Sequence, residues 1–243
     1  MRVIGVTDVG LHRKENQDSF SVAKEGTRQI AVVCDGMGGE KGGKLASSIA
    51  VETYLSQLKA LLRREMTIEQ LRELSSFCVA QANTAVYQYA LSHPDCKGMG
   101  TTLVSVITDG EIALVSNIGD SRAYLVRDGK LSRITHDHSV VESLVEAGDI
   151  TAEEARTHPD RNLITRALGP EASAACDTYE LKLKVGDQLL LCTDGLIVTA
   201  TDEQIERMIC DADDIDDALT ALIALARQYG APDNVTAVLL ENL

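Results

Sequence analysis

The sequence predicts an α+β fold in which two antiparallel sheets pack together and helices cover them from outside. Strand-like runs follow one another across short polar turns, whereas helix-forming residues gather in separate blocks. Two of the strand-like runs, residues 30–34 and 189–192, are continuously apolar, and an acid follows each of them closely. Such runs are typical of strands that are buried on both faces.

Length and composition favour one domain with an aliphatic core. The chain has 243 residues, and no stretch rich in proline, glycine or serine divides it. Residues 1–243 are therefore expected to form a single domain. Hydrophobic residues make up 44% of the chain, but aromatic residues only 3%, and tryptophan is absent. The core must be built mainly from aliphatic side chains.

The charge and the cysteines restrict the partners and the compartment. The 23 basic and 37 acidic residues give a net charge of −14, which repels phosphate backbones and anionic lipid, so no nucleic-acid partner is expected. The six scattered cysteines contain no C-x-x-C pair and are typical of a reducing cytoplasm. No apolar run approaches the roughly 18 residues of a membrane span, and we expect a cytoplasmic protein without a signal peptide or membrane segment.

The first third of the chain predicts three strands and then two helices. Residues 2–7, 17–23 and 28–34 have strand patterns and favour an antiparallel meander. Helix-forming residues dominate 43–64, and a second helix begins at the capping box Thr67-Ile68-Glu69-Gln70. The second helix carries a stripe of apolar and small residues, which predicts packing on a sheet.

The remainder predicts more strands, interrupted by one polar segment. Short turn signals separate the four strand candidates within 101–134, which favours hairpins. Residues 137–165 are polar, carry one helix start at Thr151 and show no strand pattern, so an excursion from the sheets is expected. Four further elements are predicted after this segment: strands at 178–184 and 187–193, a helix at 214–229 and a last strand at 235–240.

Five aspartates lie at the ends of predicted strands. Asp35 and Asp194 end buried strands, Asp233 precedes the last strand, and Asp18 and Asp120 flank other turns. Strand ends on one rim converge, and carboxylates without matching Lys or Arg repel one another unless cations lie between them. All-oxygen ligation favours Mg²⁺ or Mn²⁺. Each Asp-Gly alone is more often a plain turn, so the metal interpretation depends on the whole set.

Six segments of the chain form an ordered set of motifs: Arg13-Lys14-Glu15-Asn16-Gln17-Asp18, Asp35-Gly36-Met37-Gly38-Gly39, Gly100-Thr101-Thr102, Gly119-Asp120-Ser121-Arg122, Thr193-Asp194-Gly195 and Pro232-Asp233-Asn234-Val235-Thr236. In this order they resemble the motifs of the metal-dependent serine/threonine protein phosphatases (protein phosphatase type 2C), particularly their compact bacterial form. The resemblance covers essentially the whole chain, and six ordered motifs are far more specific than a single glycine pattern.

The resemblance implies an αββα sandwich whose cleft holds two metal ions, Mn²⁺ or Mg²⁺. Asp35 would bridge the two ions. One ion would also be bound by Asp194 and Asp233, and the other by Asp18 and the carbonyl oxygen of Gly36.

The same resemblance implies a phosphate ligand, a third ion and a flap. Arg13 would hold the substrate phosphate. A third metal ion would be bound near Asp120 together with Asp194. Residues 137–165 would correspond to the mobile flap of these enzymes.

The implied activity is hydrolysis of phosphoserine and phosphothreonine in proteins by direct attack of a water that two metal ions share and acidify. The implied partners are phosphorylated proteins and a bacterial Ser/Thr kinase whose signalling is reversed, and we expect a monomer. Many eukaryotic relatives carry, at the position of Met37, a histidine that is proposed as the general acid. Because methionine cannot donate a proton, we expect Met37 to be a packing residue and the leaving group to be protonated by another donor.

Other readings fit the residues less well. Residues 38–44 nearly form a P-loop, but Leu45 lacks the oxygen that a P-loop offers to Mg²⁺ after its lysine. A binding module for phosphoproteins would gather arginines rather than aspartates. A zinc triad of His136, His138 and His158 fits no common spacing, so surface or loop-bracing roles are expected. Within the enzyme class, a regulator of a partner-switching pathway is an alternative to general kinase reversal.

Overall fold

Two antiparallel sheets pack face to face in the computed structural model, which describes residues 1–243 apart from the side chain of Glu40. One sheet has the strand order β1-β11-β10-β7-β8. The other has the order β2-β3-β5-β6-β9, with the short β4 paired to the end of β3. The strands are β1 (Arg2–Asp8), β2 (Asp18–Glu25), β3 (Arg28–Met37), β4 (Gly100–Thr101), β5 (Leu103–Thr108), β6 (Ile112–Ile118), β7 (Arg122–Arg127), β8 (Lys130–Arg133), β9 (Asp177–Lys182), β10 (Gln188–Cys192) and β11 (Val235–Glu241).

Helices cover the outer faces of both sheets. The first two helices share a core with the sheet of β3 and β5, and the last helices share one with the sheet of β10 and β11. The predicted αββα sandwich is therefore confirmed. The helices are α1 (Gly39–Leu61), α2 (Ile68–Ser92), α3 (Val140–Ala147), α4 (Ala152–Thr157), α5 (Asp194–Ile197), α6 (Asp202–Cys210) and α7 (Ile215–Gln228), and one turn of 3₁₀-helix spans Pro94–Cys96.

The continuous apolar runs occupy sheet centres because both of their faces are covered. In β3, Ile30 and Val32 face the core beneath α1 and α2, whereas Ala31 and Val33 face the opposite sheet. In β10, alternate side chains likewise divide between the core between the sheets and the core beneath α6 and α7. Since successive side chains of a strand point to opposite faces, a strand with two buried faces needs apolar residues at every position.

Two predicted connections are wrong. β1 does not form a meander with β2 but pairs with β11, so both ends of the chain lie in one sheet. The turn at Gly119 and Asp120 is not a hairpin, because β6 and β7 belong to different sheets and the chain crosses between them there. Turn residues specify a change of direction but not the strand that pairs next, so local sequence could not distinguish these cases.

The excursion over 137–165 leaves the sheets as predicted but contains two helices rather than one. α4 begins at the predicted capping box, in which Thr151 and Glu154 bond reciprocally. α3, whose N-cap is Ser139, is absent from the prediction. The helix α6 is also absent from the prediction, although the sequence displays its capping box, which Thr201 and Gln204 form. No helix in the described part of the chain combines the length and the apolar character that crossing a bilayer requires.

Candidate active site

A cleft of about 850 Å³ lies at one rim of the sandwich, where loops from both sheets meet. Its walls come from the loop after β1, the turn between β3 and α1, the crossover after β6, the start of α5 and the loop before β11. Asn162 and Ile164 of the excursion close one side. The predicted site residues in its lining are Arg13, Asp35, Gly36, Asp120, Asp194 and Asp233.

Asp18 lies behind the cleft wall, directly opposite Asp35 in the β2–β3 ladder. It is almost completely buried, with 2% of its surface exposed. Its Oδ2 accepts hydrogen bonds from Thr193 Oγ1 at 2.9 Å and from Thr236 Oγ1 at 2.7 Å. Its Oδ1 has no hydrogen-bond partner among the described residues. Two threonines from the other sheet thus fix this carboxylate and leave one oxygen available.

The end of β3 is held in place by backbone and hydroxyl contacts. The amide of Asp35 donates to Thr102 Oγ1 at 2.9 Å, and its carbonyl accepts from Thr101 Oγ1 at 2.7 Å. A Cβ on Gly36 would collide with the carbonyl oxygen of Gly43 in the first turns of α1. Only glycine lets the strand end and the helix approach this closely.

Asp194 begins α5 immediately after β10. Its Oδ1 is buried without a hydrogen-bond partner in the described part of the chain. A Cβ on Gly195 would collide with the carbonyl oxygen of Asn234, so glycine permits the close contact between α5 and the loop before β11. The Asp-Gly pair therefore serves packing as well as the cleft.

Burial raises the pKa of four of these carboxyl groups. The pKa of Asp18 is raised to about 7, and the pKa of Asp194 is raised as well. The pKa values of Asp35 and Asp120 lie well above the ordinary value. Desolvation is the largest cause in all four, and repulsion from neighbouring carboxylates adds to it. These groups are therefore costly to ionise in the absence of a nearby positive charge.

The donor set fits a hard divalent cation. The unpartnered Oδ1 atoms of Asp18 and Asp194 are buried, and a buried polar atom without a partner costs about 1–3 kcal/mol. A cation would satisfy both oxygens and favour the ionised carboxylates, and all the donors are oxygens, as Mg²⁺ and Mn²⁺ prefer. No three of the described acidic residues in the cleft place one oxygen each within 4.8 Å of one another.

Arg13 projects into the cleft from the loop after β1. Its Nη2 donates to Asp233 Oδ2 at 2.7 Å, and this bond is the main reason that the pKa of Arg13 is raised. Asn234 organises the loop: its Nδ2 donates to the carbonyls of Val9 and Glu15, and its Oδ1 accepts from an amide at the end of the loop. The half-exposed guanidinium is thus presented by a fixed loop.

Asp120 lies at the crossover between the sheets, and a network of ion pairs lies beside it. Arg122 donates from Nε and Nη2 to Asp137, and Arg133 also pairs with Asp137 at 2.8 Å. Arg133 reaches further to Glu142 of α3. Asp137, at the start of the excursion, is therefore fixed to β7 and β8.

Two of the three histidines brace loops and the third is exposed, in line with the expected surface or loop-bracing roles. His138 is buried, its Nδ1 accepts from the amide of Gly119, and its Nε2 lies 3.0 Å from Asp177 Oδ2. The geometry therefore places the ring proton on Nε2. His158 Nδ1 accepts from the amide of Asp160. His136 is exposed and lies near Glu142 and Glu146.

The structure brings all the predicted site residues to one rim, including Arg13. Sequence reasoning assigned no role to several supporting residues, namely Thr102, Thr193, Thr236, Asn234 and Asn162. Four of these residues belong to the quoted motifs, so the sequence marked their positions. Their hydrogen-bond partners could not be predicted, because those partners become neighbours only when strands of both sheets come together.

The comparisons with known proteins agree on one family. A family model described as Protein phosphatase 2C matches residues 12–240. The serine/threonine phosphatase Stp of Listeria innocua is 35% identical over 236 residues, which cover 97% of this chain and 93% of that protein.

Solved structures show the same fold. The crystal structure of the serine/threonine phosphatase Stp1 from Staphylococcus aureus has a TM-score of 0.92 at 36% identity, covering 98% of this chain and 93% of that one. The catalytic domain of the phosphatase PstP in complex with two manganese ions has a TM-score of 0.84 at 34% identity, covering 98% and 96%. Since both the family model and the relatives span nearly its whole length, this chain belongs to the protein phosphatase 2C family.

Proposed function

We propose that the protein removes phosphate from phosphoserine and phosphothreonine residues of other proteins and that it does so with two divalent cations, Mn²⁺ or Mg²⁺. The observation that carries this proposal is the convergence of four aspartates and Arg13 on one cleft, with Asp18 behind its wall. The similarity to the serine/threonine phosphatase of Listeria innocua supports the reaction, and the two manganese ions in the PstP structure support the cofactor.

The chain offers a complete set of oxygen ligands for the two cations. Asp35 would contribute oxygen to both cations, Asp194 and Asp233 would hold one of them, and Asp18 and the carbonyl of Gly36 would hold the other. When bound, the cations supply Lewis acidity that lowers the pKa of the attacking water and offsets charge on the phosphoryl group.

Side chains of the protein bind the phosphate and orient the metal ligands. Arg13 binds the phosphate with its planar guanidinium, which matches phosphate oxygens in a bidentate manner. Thr193 and Thr236 orient Asp18 through its Oδ2. Met37 lines the cleft but has no proton to give, so the leaving seryl or threonyl oxygen receives its proton from another group.

Asp120 serves a third, outlying cation together with Asp194. The support for this part is the position of Asp120 at the edge of the cleft and the rise of its pKa, which follows mainly from burial and then from Asp194. Asp120→Ala should lower turnover while calorimetry still shows two tightly bound Mn²⁺ ions. Loss of the tightest Mn²⁺ site in this variant would place Asp120 in the central pair.

The biological role we propose is the reversal of signalling by a Ser/Thr kinase in a reducing compartment. The six cysteines are free thiols, and four of them are buried. Free buried thiols are typical of proteins that do not depend on disulfides for stability. The kinase and the phosphoproteins are therefore expected in the same compartment as this protein.

The direct test is hydrolysis of a phosphothreonine peptide with Mn²⁺, with Mg²⁺ and after exhaustive chelation. Activity should require a cation, and Asp35→Asn should be the most damaging single substitution because one residue contacts both ions. Asp109→Asn, which makes the same change in a turn outside the cleft, is the matched control. Full activity of protein shown by metal analysis to be cation-free would refute the proposed cofactor.

A further inference from the structure

A second cavity of about 770 Å³ lies between the excursion and α5. This cavity, which we call the flap groove, has an apolar floor formed by Val141 and Val145 of α3, Ala155 of α4, and Ile197 and Val198 at α5. Its volume falls within the roughly 300–1,000 Å³ that is typical of ligand sites. The groove is therefore large enough to receive side chains of a bound polypeptide.

The flap groove adjoins the catalytic cleft. Asp120, Asn162 and Asp194 line both cavities. A polypeptide whose phosphorylated residue occupies the cleft can therefore continue into the groove without leaving the surface. An extended chain advances about 3.3–3.6 Å per residue, so the side chains that enter the groove lie within a few positions of the phosphorylated residue.

Of the five floor residues, Ile197 alone belongs to a hydrophobic core of the described residues. Val141 and Val145 belong to none of the three hydrophobic cores of the described residues and are not among the side chains packed against them. α3 and α4 contain no fully buried residue, and 43% of the surface of Val198 is exposed. A groove floor of this kind gains stability when an apolar side chain covers it.

The lining of the flap groove contains more carboxylates than arginines. Glu153, Asp202 and Glu203 line the groove, and none of them has a Lys or Arg nitrogen within 4.0 Å in the described part of the chain. Arg156 is bonded to the carbonyls of Ile197 and Ala200. These carboxylates remain available to a cationic ligand, and the net charge of −14 attracts such a ligand from a distance.

We propose that the flap groove binds the substrate segment beside the phosphorylated residue and selects an apolar side chain together with a lysine or arginine. The apolar side chain lies on the valine floor, and the cation lies beside Glu153, Asp202 and Glu203. Arg161 is exposed and also lines the groove. This inference rests on the phosphatase activity proposed above and defines its substrate class.

The test uses a series of phosphothreonine peptides in a serine and glycine background. Leucine and arginine are introduced together at increasing distance from the phosphothreonine, on either side. At one spacing, kcat/KM should exceed that of the unsubstituted peptide by about tenfold, the lower end of what an apolar pocket contact gives. Replacing the peptide arginine by glutamate should lower kcat/KM about two- to fivefold, as expected for an exposed ion pair.

Two variants locate the effect in the groove. Val198→Ser should remove much of the preference for leucine, and Glu203→Lys should reverse the preference between arginine and glutamate in the peptide. Val185→Ser and Glu65→Lys are the matched controls, because they make the same changes at exposed positions that line neither cavity. None of the four variants should alter hydrolysis of a small aryl phosphate, which does not reach the groove.

The outcomes separate this inference from the proposed function. If phosphopeptides are hydrolysed but no spacing of leucine and arginine changes kcat/KM by more than about twofold, the groove does not select substrate. Equal effects of Glu203→Lys and Glu65→Lys would show that only overall charge matters, which also refutes the proposal. If only the aryl phosphate is hydrolysed, the proposed protein phosphatase activity itself is wrong.

Discussion

Arg13 donates a hydrogen bond from Nη2 to Oδ2 of Asp233 at 2.7 Å, so the proposed phosphate ligand and one proposed metal ligand are partners of each other. The other oxygen of Asp233 accepts from the amide of Asn234 at 2.8 Å. A cation that binds Asp233 therefore competes with Arg13. Conversely, a phosphate that draws Arg13 away makes this carboxylate available, so cation binding and phosphate binding should favour each other.

Removing Arg13 should tighten cation binding while weakening substrate binding. Half-exposed ion pairs contribute about 0.2–1 kcal/mol, so Arg13→Ala should raise the affinity of one Mn²⁺ site by up to about fivefold. The same variant should raise KM for a phosphopeptide and lower kcat to the extent that the contact tightens in the transition state. Calorimetric Mn²⁺ titration and steady-state kinetics measure the two effects. Arg13→Lys, which keeps the charge but loses the fork, should show the kinetic loss with little gain in cation affinity.

The opposite result has a clear meaning. If Mn²⁺ binds Arg13→Ala no more tightly than the unchanged protein, Arg13 does not compete with the cation for Asp233. The two binding events would then be independent.

Stability of the cation-free protein should fall as pH rises through neutrality. Burial is the main reason that the pKa of Asp18 is raised to about 7 in the folded state, from an ordinary value of 3.8. In this range the folded state binds more protons than the unfolded chain, so the contribution is fully present below pH 4 and is lost as pH rises through 7. Asp35 and Asp120, whose pKa values are also raised, act in the same direction.

Bound cations should remove this dependence. Thermal unfolding in chelator from pH 5 to pH 8 should show a decreasing melting temperature, whereas saturating Mn²⁺ should raise the melting temperature most at pH 8. Asp18→Asn should flatten the curve in chelator because the amide does not titrate. A melting temperature in chelator that rises across this range would contradict the raised pKa values.

Thr236 should affect cation binding although it is not a proposed ligand. Its hydroxyl donates to Asp18 Oδ2 at 2.7 Å and lies 2.7 Å from Thr7 Oγ1. Losing a residue that orients a metal ligand typically costs about 10–100-fold in metal affinity or activity. Thr236→Val should weaken Mn²⁺ binding by an amount in this range, whereas Thr236→Ser, which keeps the hydroxyl, should restore most of it. Equal Mn²⁺ affinity in the two variants would limit Thr236 to packing.

The sequence anticipated those parts of the molecule that local chemistry determines. Residues 30–34 had to form a strand with two covered faces because every side chain is apolar, and Thr67 had to begin a helix because Gln70 completes its capping box. Long-range pairing could not be anticipated in the same way. That β1 pairs with β11 depends on contacts between the two ends of the chain, which no local pattern encodes.

In the candidate site, too, the sequence predicted the features that local residues determine and missed those that depend on long-range contacts. The aspartates were visible because each follows or precedes a strand, and the ordered motifs resembled a family. The threonine hydroxyls that hold Asp18 were not recognised, because Thr193 and Thr236 become its neighbours only when the two sheets pack. The flap groove was equally hidden, since Val145 and Val198 lie far apart in sequence and α3 was not predicted.

Met37 provides the sharpest test of how the leaving group is protonated. General acid catalysis is typically worth about 10²–10⁴ in rate, and it matters most for a poor leaving group such as the alkoxide of serine or threonine. A thioether cannot supply this contribution, although Met37 lines the cleft. Met37→Leu nearly conserves volume, so turnover of a phosphothreonine peptide and of an aryl phosphate should both remain almost unchanged. The measurement is the ratio of the two rates, with Arg13→Ala as the reference variant that impairs phosphate binding on both substrates. If Met37→Leu slows the peptide by about 10² or more and spares the aryl ester, then Met37 positions the proton donor and its assignment as a packing residue is wrong.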